Sequence, residues 1–171
     1  SRDVISEDGC GNYEHLVTLT ATDECGNSTD YQFTIVVADT EAPAFVEALP
    51  GDLSGIECDA IPAADVLTAT DNCDAVEVIF TEEQTEIACT NAYTLVRTWT
   101  VSDCSGNMSE HVQTIEVQDT TAPVFTEVPT DQTNQCEEQP YTSAATDNCG
   151  AVTITESREV ISEDDCDNYE H

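Results

Sequence analysis

Positive charge is almost absent from this sequence. Its 171 residues include three arginines and no lysine against 36 aspartates and glutamates, which gives a formal net charge of −33. A protein that binds nucleic acid through its phosphates needs clustered basic residues, and so does a protein attracted to an anionic membrane surface. The composition therefore excludes nucleic acid as a partner and excludes electrostatic attachment to a membrane.

Long apolar runs and helical patterns are missing as well. No stretch approaches the ~18 apolar residues of a membrane-spanning helix, so direct membrane insertion is not expected. Only 7 glycines and 6 prolines are present, and the acidic residues are interleaved with Val, Ile, Thr, Tyr and Phe. These residues favour strands, and no segment carries an apolar stripe of helical period. The chain is therefore predicted to be all-β.

Internal repeats organise the chain. The heptapeptide at 39–45 (DTEAPAF) recurs with two changes at 119–125 (DTTAPVF). The pentapeptide ATDNC occupies both 69–73 and 145–149, so its two copies are separated by nearly the same interval. A fixed period is typical of modular arrays in which each repeat is one folded unit, and these positions give a module of about 78 residues.

A second, longer period lies above the first. Residues 1–15 match residues 157–171 at twelve of fifteen positions, an interval of about two modules. Two unlike modules therefore alternate, and one pair of them forms a superrepeat of a longer array. The predicted divisions are the later half of one module at 1–39, a complete module at 40–119, and the earlier half of the next module at 120–171.

Strand signals are short and frequent in the complete module and in the half-module before it. Apolar and polar residues alternate along 31–37 and again along 111–117, as they do in a strand with one buried face. About seven such strands in a module of this length are typical of an immunoglobulin-like β-sandwich. We expect tandem immunoglobulin-like modules, stapled by disulfides and joined end to end.

Nine cysteines in a chain of this length indicate an oxidising, extracellular compartment. Three neighbouring pairs have equal intervals between their members and a fourth pair is slightly closer, which favours disulfides between neighbours; Cys166 would then pair with a cysteine beyond the end of the chain. A crossed scheme that joins Cys58 to Cys89 stays open. No Cys-x-x-Cys pair is present, so zinc is not expected. The neighbour pairs are Cys10 with Cys25, Cys58 with Cys73, Cys89 with Cys104, and Cys136 with Cys149.

Aspartate and asparagine concentrate where loops and module junctions are predicted. Calcium takes six to eight oxygen ligands from carboxylates, amides and backbone carbonyls, usually in loops. Such an ion would also neutralise part of the acidic charge. The alternative is that these residues only shape turns, because Asp and Asn side chains accept hydrogen bonds from the backbone two residues on. The candidate calcium ligands are Asp39, Glu41, Asp71, Asn72, Asp103, Asp119, Asp147 and Asn148.

Nothing in the sequence predicts an enzyme. With 36 acidic residues, carboxylate pairs suited to glycoside hydrolysis arise everywhere by chance, and the serines near histidines lack a nucleophile elbow. Trp99 falls in a strand pattern, where core packing is a simpler explanation than stacking on a sugar. Asn27 and Asn107 match the Asn-x-Ser/Thr pattern at equivalent turns, so both are candidate glycosylation sites.

Several motifs in fixed order carry a family resemblance. They are Asp-Thr-x-Ala-Pro-x-Phe, Ala-Thr-Asp-Asn-Cys, the Arg-Thr-Trp-Thr at 97–100, and Asp-x-Cys-Gly-Asn. Together they resemble the HYR-like immunoglobulin-type repeats of giant Bacteroidetes cell-surface adhesins, such as gliding-motility adhesins of the SprB type. The resemblance implies a secreted or cell-surface filament whose repeats form a stalk for an adhesive region, with calcium between modules.

Two other functions stay open beside the stalk. One is a module that binds a carbohydrate or another surface ligand through its loops, so that a surface glycan or a substratum is its partner. The other is an accessory repeat of a large secreted hydrolase. Near-identity between the two copies of the superrepeat favours the stalk, because recognition surfaces would be free to differ. The expected partners of each module are then its neighbours in the same chain.

Overall fold

The computed structural model describes residues 1–89, 91–133 and 139–159 of the chain. These ranges form eleven β-strands and contain no helix, so the all-β prediction is confirmed. No helix long and apolar enough to cross a membrane occurs in the described residues. The chain divides into two compact units, of which the first ends at Gln118 and the second begins at Asp119.

Three antiparallel strands form the first sheet, in the order β1-β2-β3. The pairing of β2 with β3 is unbroken from Tyr13 opposite Val37 to Thr22 opposite Ser28. Pairing of β1 with β2 shifts register between Val4 and Ser6. The strands are β1 (Arg2–Glu7), β2 (Tyr13–Thr22) and β3 (Ser28–Val37).

The complete module contains a four-stranded and a two-stranded sheet. The larger sheet has the order β5-β9-β8-β7, in which β5 runs parallel to β9 and the other pairs are antiparallel. The smaller sheet pairs β4 with β6. The architecture is that of an immunoglobulin-like β-sandwich. The strands are β4 (Ala44–Phe45), β5 (Leu53–Glu57), β6 (Ala69–Thr70), β7 (Val78–Cys89), β8 (Ala92–Ser102) and β9 (Met108–Gln118).

The second unit begins as the complete module does. Its strands β10 (Val124–Glu127) and β11 (Ala144–Thr146) pair antiparallel, with Phe125 opposite Ala145. The same pairing joins Phe45 to Ala69 in β4 and β6. Equivalent residues therefore form equivalent strand pairs, as expected of a sequence repeat.

The core of the complete module lies on one face of β8 and β9. Alternate residues of a strand share a face, and the buried positions of β8 alternate with half-buried ones from Leu95 to Val101. Leu95 lies opposite Ile115, which is fully buried. Side chains from β5 and the segment after it cover this face. The cluster contains Leu95, Ile115, Val117, Leu53, Ile56, Cys58, Ile61 and Tyr93.

Trp99 extends the same buried face, and only 1% of its surface is exposed. Its indole N–H donates to the Asp65 carbonyl at 3.1 Å. The ring packs beside Phe80, at 5.2 Å between ring centroids, and beside His111, at 5.8 Å. Buried aromatic rings contribute large apolar area to a core, so Trp99 is a core residue and its ring is not exposed for stacking on a sugar.

Two buried polar side chains tie the sheet to the segment that covers it. Arg97 is only 4% exposed; its Nε donates to Glu82 Oε2 at 2.8 Å and a terminal nitrogen donates to the Pro62 carbonyl at 2.8 Å. Gln113 donates to the Gly51 carbonyl at 2.7 Å. A buried charge is tolerated when it is paired and hydrogen-bonded. These contacts hold the covering segment in one position.

Candidate functional site: the junction between modules

Three tight connections share one construction, and we name them the Asp–Asn turns: 8–12 between β1 and β2, 23–27 between β2 and β3, and 103–107 between β8 and β9. In each, the first residue is Asp and the fifth is Asn. The Asn backbone N–H donates to one carboxylate oxygen at 2.8–3.0 Å, and its side-chain amide donates to the other at 2.7–2.8 Å. Both oxygens of each aspartate are therefore occupied.

These hydrogen bonds favour the charged form of each aspartate. The amide of Asn12 lowers the pKa of Asp8 below its ordinary value of 3.8, and the amide of Asn27 does the same for the pKa of Asp23. At Asp103, burial acts first and raises the pKa, but the bonds from Asn107 and the turn backbone outweigh it, so the pKa is lowered. The turns are therefore held by ionised aspartates.

Glycine supplies the backbone conformation of all three turns, and in turn 8–12 Gly11 has a φ of +79°. Gly26 has a φ of +89° and Gly106 a φ of +91°. No atom lies within 4 Å of the position that a Cβ would occupy at either glycine. The need for glycine therefore comes from the left-handed backbone and not from crowding.

A disulfide connects two of the Asp–Asn turns. Cys10 of turn 8–12 is bonded to Cys104 of turn 103–107, with 5.4 Å between their Cα atoms. The two cysteines are 94 residues apart in sequence. Cys10 belongs to the predicted half-module at 1–39, whereas Cys104 belongs to the complete module at 40–119. On that predicted division, the bond joins two consecutive repeats.

The predicted pairing between neighbours is wrong for these cysteines. Cys10 and Cys25 lie beyond opposite ends of β2, whose ten residues span about 33 Å. A disulfide needs Cα atoms within about 7 Å. The eleven residues of β8 separate Cys104 from the backbone of Cys89 in the same way. The regular interval between neighbouring cysteines therefore corresponds to the length of one strand and the turns at its two ends.

The prediction also fails for Cys58 and Cys73. Cys73 is an exposed free thiol, whereas Cys58 is disulfide-bonded. Cys149 is disulfide-bonded as well. Cys136 and Cys166 lie outside the described residues, as does the side chain of Cys89, and so the predicted pair of Cys136 with Cys149 and the crossed pair of Cys58 with Cys89 cannot be compared with the structure.

Hydrogen bonds reinforce the Cys10–Cys104 bond. The Asn12 amide donates to Ser105 Oγ at 2.9 Å, which links the two turns directly. The Asp39 backbone N–H donates to Asn12 Oδ1 at 2.7 Å, and the Asn107 amide donates to the Asp39 carbonyl at 3.3 Å. Residue 39, where one repeat passes into the next, is thus held by both turns. We call turns 8–12 and 103–107 together with Asp39 the junction.

Sequence reasoning missed most residues of the junction. Asn12 and Ser105 were not candidates, nor was Asp74, whose carboxylate accepts from the Cys104 N–H at 3.3 Å. The sequence did contain a signal for these turns. In all three, an Asp is followed four residues later by an Asn, and a cysteine lies between them. The repeated spacing indicates a common turn, but it does not indicate which two turns meet.

Two of the candidate calcium ligands come together beside the junction. Carboxylate oxygens of Asp39 and Asp71 and the sulfur of Cys73 lie within 4.8 Å of one another. One oxygen of each carboxylate, Oδ2 in both, is buried and accepts no hydrogen bond from the described residues. Burial, and then the charges of Asp39 and Asp71, raise the pKa of the Cys73 thiol. The cluster is acidic and lacks a cationic side chain among the residues described.

The remaining candidate ligands are arranged differently. Glu41, Asn72 and Asn148 are exposed. Asp103 uses both carboxylate oxygens within its turn. Asp147 accepts from the Cys149 N–H at 2.9 Å, and Asp119, with one unpartnered buried oxygen, lies within 4.8 Å of the Cys149 sulfur. Calcium binding at these positions stays a prediction.

The two candidate glycosylation sites lie in Asp–Asn turns. The amide nitrogen of Asn107, to which a glycan would be attached, donates to Asp103 Oδ2 at 2.7 Å and to the Asp39 carbonyl at 3.3 Å. The amide nitrogen of Asn27 donates to Asp23 Oδ2 at 2.8 Å. A glycan replaces one of the two hydrogens of the amide nitrogen, so its attachment would cost Asn107 one of these two bonds, and the geometry favours a role in the turn for that residue. Asn27 donates one bond and has a second hydrogen, so its glycosylation stays a prediction.

Comparison with known proteins identifies the domain type of the complete module. Residues 50–117 match the family model of the HYR-like domain with 4 cysteines. That range contains Cys58, Cys73, Cys89 and Cys104. The predicted resemblance to HYR-like repeats is thus confirmed for this module, a non-enzymatic domain type of extracellular proteins. No curated protein matches the chain.

Proposed function

We propose that the chain is a stalk segment of a long, secreted adhesin on a bacterial surface, whose repeats hold an adhesive region away from the cell. The observation that carries this proposal is the Cys10–Cys104 bond, which joins consecutive repeats through turns at their ends. A stalk has to transmit tension from one module to the next. A covalent bond between modules, reinforced by the hydrogen bonds of Asn12 and Asp39, suits that task.

The bond also limits how far the stalk extends under load. It closes a loop of 94 residues, which would span about 310–340 Å if fully extended. While the bond is intact, unfolding of the strands within the loop cannot release that length. The distance between cell and adhesive region therefore stays nearly constant under tension.

The acidic charge contributes to the extended form. A net charge of −33 makes neighbouring modules repel one another, and makes separate stalks repel as well. This repulsion acts over a Debye length of about 8 Å at physiological ionic strength. The same property supports a surface location, where stalks project side by side without aggregating. Gliding motility, as in SprB-type adhesins, belongs to the proposal through the sequence resemblance alone.

Calcium at the junction is part of the proposal. Asp39 lies between the two turns, and one of its carboxylate oxygens is within 4.8 Å of a carboxylate oxygen of Asp71. Each of the two residues also has one buried oxygen that accepts no hydrogen bond from the described residues. A hard cation that prefers oxygen ligands would offset the repulsion between these carboxylates. We expect calcium to raise the melting temperature of the chain and Asp71→Asn to reduce the rise. Asp30→Asn, which removes one exposed carboxylate of β3 that is not a candidate ligand, is the matched control. An equal rise in the Asp71 variant would contradict this site.

Small-angle scattering from arrays of one, two and three superrepeats tests the stalk. Two modules with strands of about ten residues should add about 60–70 Å to the maximum dimension for each superrepeat. A dimension that stops growing with repeat number would contradict the proposal. Micromolar binding of a single superrepeat to a glycan array would instead favour the carbohydrate-binding module.

A further inference from the structure

Two cysteines of the described residues are free thiols, Cys25 and Cys73, and both are exposed. Each has a repeat equivalent that is oxidised. The equivalent of Cys25 is Cys104, which is bonded to Cys10, and the equivalent of Cys73 is Cys149, which is also disulfide-bonded. The same position in the module is therefore a thiol in one copy and part of a disulfide in the other.

The turns that carry Cys25 and Cys104 share the hydrogen bonds between Asp and Asn, but Cys25 is the third residue of its turn and Cys104 the second. The bonds from Asn27 to Asp23, both 2.8 Å long, match those from Asn107 to Asp103 at 2.8 and 2.7 Å. All five residues of turn 23–27 are exposed, whereas Asp103 is 8% exposed within the junction. Turn 23–27 thus has the Asp–Asn framework of turn 103–107, and it presents an exposed cysteine at the third position, as turn 8–12 does with the bonded Cys10.

We propose that Cys25 and Cys73 are acceptor thiols, each of which forms a disulfide with a cysteine of the preceding module in the array. Every module then receives two bonds from the module before it and gives two to the module after it. The proposal rests on the tandem array put forward above and goes beyond it, because it specifies a pair of disulfides at each junction.

The order of the cysteines specifies the partners. Cys10 precedes Cys25 by the same interval as Cys89 precedes Cys104, so Cys10 and Cys89 are equivalent. The Cys10–Cys104 bond runs from this position to the following module. A Cys89 should therefore bond forward to a Cys25, and this leaves the position of Cys58 to bond forward to that of Cys73. Cys136 occupies the Cys58 position in the other type of module.

The chemistry of each bond is thiol–disulfide exchange. One thiolate attacks an external disulfide, such as that of a thiol oxidoreductase or oxidised glutathione, and gives a mixed disulfide and one released thiol. The second thiolate of the pair then attacks the mixed disulfide, which forms the intermodular bond and releases a second thiol. One disulfide is reduced to two thiols for each bond formed, and two protons pass to the released thiolates.

The two acceptor thiols can be tested separately with an extended chain, in which a copy of residues 120–156 is placed before Ser1. Because residues 157–171 repeat residues 1–15, this addition restores the earlier half of the first module and supplies a second Cys136 but no second Cys89. After refolding in a glutathione buffer, free thiols are alkylated with iodoacetamide. Peptides cut after glutamate are then identified by mass spectrometry.

We expect both Cys25 and Cys73 to be alkylated in the original chain. In the extended chain, Cys73 should be found in a disulfide with the added Cys136, while Cys25 remains alkylated. Cys136→Ser in the added copy is the matched control and should return Cys73 to the alkylated form. Placing residues 1–156 before Ser1 adds a preceding Cys89, and only then should the Cys25 that follows it be oxidised.

Three outcomes would overturn the inference. They are alkylation of Cys73 in the extended chain, a bond between the added Cys136 and the added Cys149, and oxidation of Cys25 where no preceding Cys89 is present. Scattering keeps this test separate from that of the stalk. If the array lengthens linearly but Cys25 and Cys73 stay free, the acceptor role alone is contradicted. If these thiols are oxidised but the array does not lengthen, the stalk alone is contradicted.

Discussion

The hairpins β2–β3 and β8–β9 are repeat equivalents that pair in the same way and are buried very differently. Both pair ten residues with ten in unbroken register. Leu19 is 56% exposed, but Trp99 at the equivalent position is 1% exposed. Val37 is 40% exposed and its equivalent Val117 only 4%. Local sequence thus suffices for the hairpin, but burial of its face requires other parts of the module.

The difference comes from the segment before β7. In the complete module, carbonyls of Gly51, Pro62 and Asp65 accept hydrogen bonds from side chains of β8 and β9, and β5 runs alongside β9. No described strand lies beside β3 on that side. The covering segment therefore turns an amphipathic hairpin into half of a sandwich. Four sets of variants test this difference between the two hairpins.

The largest effect should come from the disulfide at the junction. Cys104→Ser removes the bond to Cys10, and opening a loop of 94 residues should cost about 4–5 kcal/mol in the chain-entropy model. Cys25→Ser changes the equivalent thiol, which is free, and should cost less than about 0.5 kcal/mol. Urea unfolding followed by fluorescence of the single tryptophan measures both. Equal midpoints would show that the bond contributes nothing to the module.

The next largest difference in unfolding free energy should be between alanine variants of Trp99 and of Leu19. Trp99→Ala empties a buried site and should cost about 3–5 kcal/mol. Leu19→Ala, at the equivalent exposed position, should cost less than about 1 kcal/mol. Circular dichroism during urea unfolding reports on both variants, since one of them lacks the tryptophan. A cost at Leu19 similar to that at Trp99 would mean that both hairpin faces are buried.

Acid should weaken the Asp–Asn turns. Because the folded-state pKa values of Asp8, Asp23 and Asp103 lie below 3.8, their contribution is complete above that pH and is lost as the pH falls through the lowered values. We expect the melting temperature to fall between about pH 5 and pH 2. Asp103→Asn should flatten this dependence more than Asp23→Asn, because Asp103 is buried at the junction. Parallel curves for the two variants would contradict the distinction.

The smallest effects should be equal in the two hairpins. Gly106→Ala and Gly26→Ala each place a side chain at a φ near +90° in open space, so each should cost about 1 kcal/mol. Differential scanning calorimetry of both variants checks this. A clearly larger loss of stability for Gly106→Ala would show that contacts at the junction, and not only the backbone conformation, require glycine at this position.

Sequence reasoning predicted those parts of the fold that depend on local pattern. Alternation along β9 and the recurrence of the β4 and β6 sequences in β10 and β11 correspond to observed strands. The parallel pairing of β5 with β9 was not predicted, because it joins segments far apart in the sequence and no local pattern encodes it. Strand periodicity identifies a strand but not its neighbour.

The candidate site was predicted less well, for the same reason. Equal spacing suggested that Cys10 bonds to Cys25, but ten residues of strand keep them apart. Asp39 and Asp71 were both predicted as ligands and do meet, whereas Asp103 is used by its own turn. The partner of a candidate residue can lie in another repeat. The interval between two residues in the sequence does not show how far apart they are in the structure.

The long separation of Cys10 from Cys104 has a consequence for biosynthesis. Cys104 follows Cys10 by 94 residues, so a ribosome adds it much later, and the bond needs both turns in place. This bond must therefore wait until the segment that carries Cys104 has been made and folded. In the proposed array, disulfides of this kind would form in the order in which the modules are synthesised, and the module made last would still have unpaired cysteines.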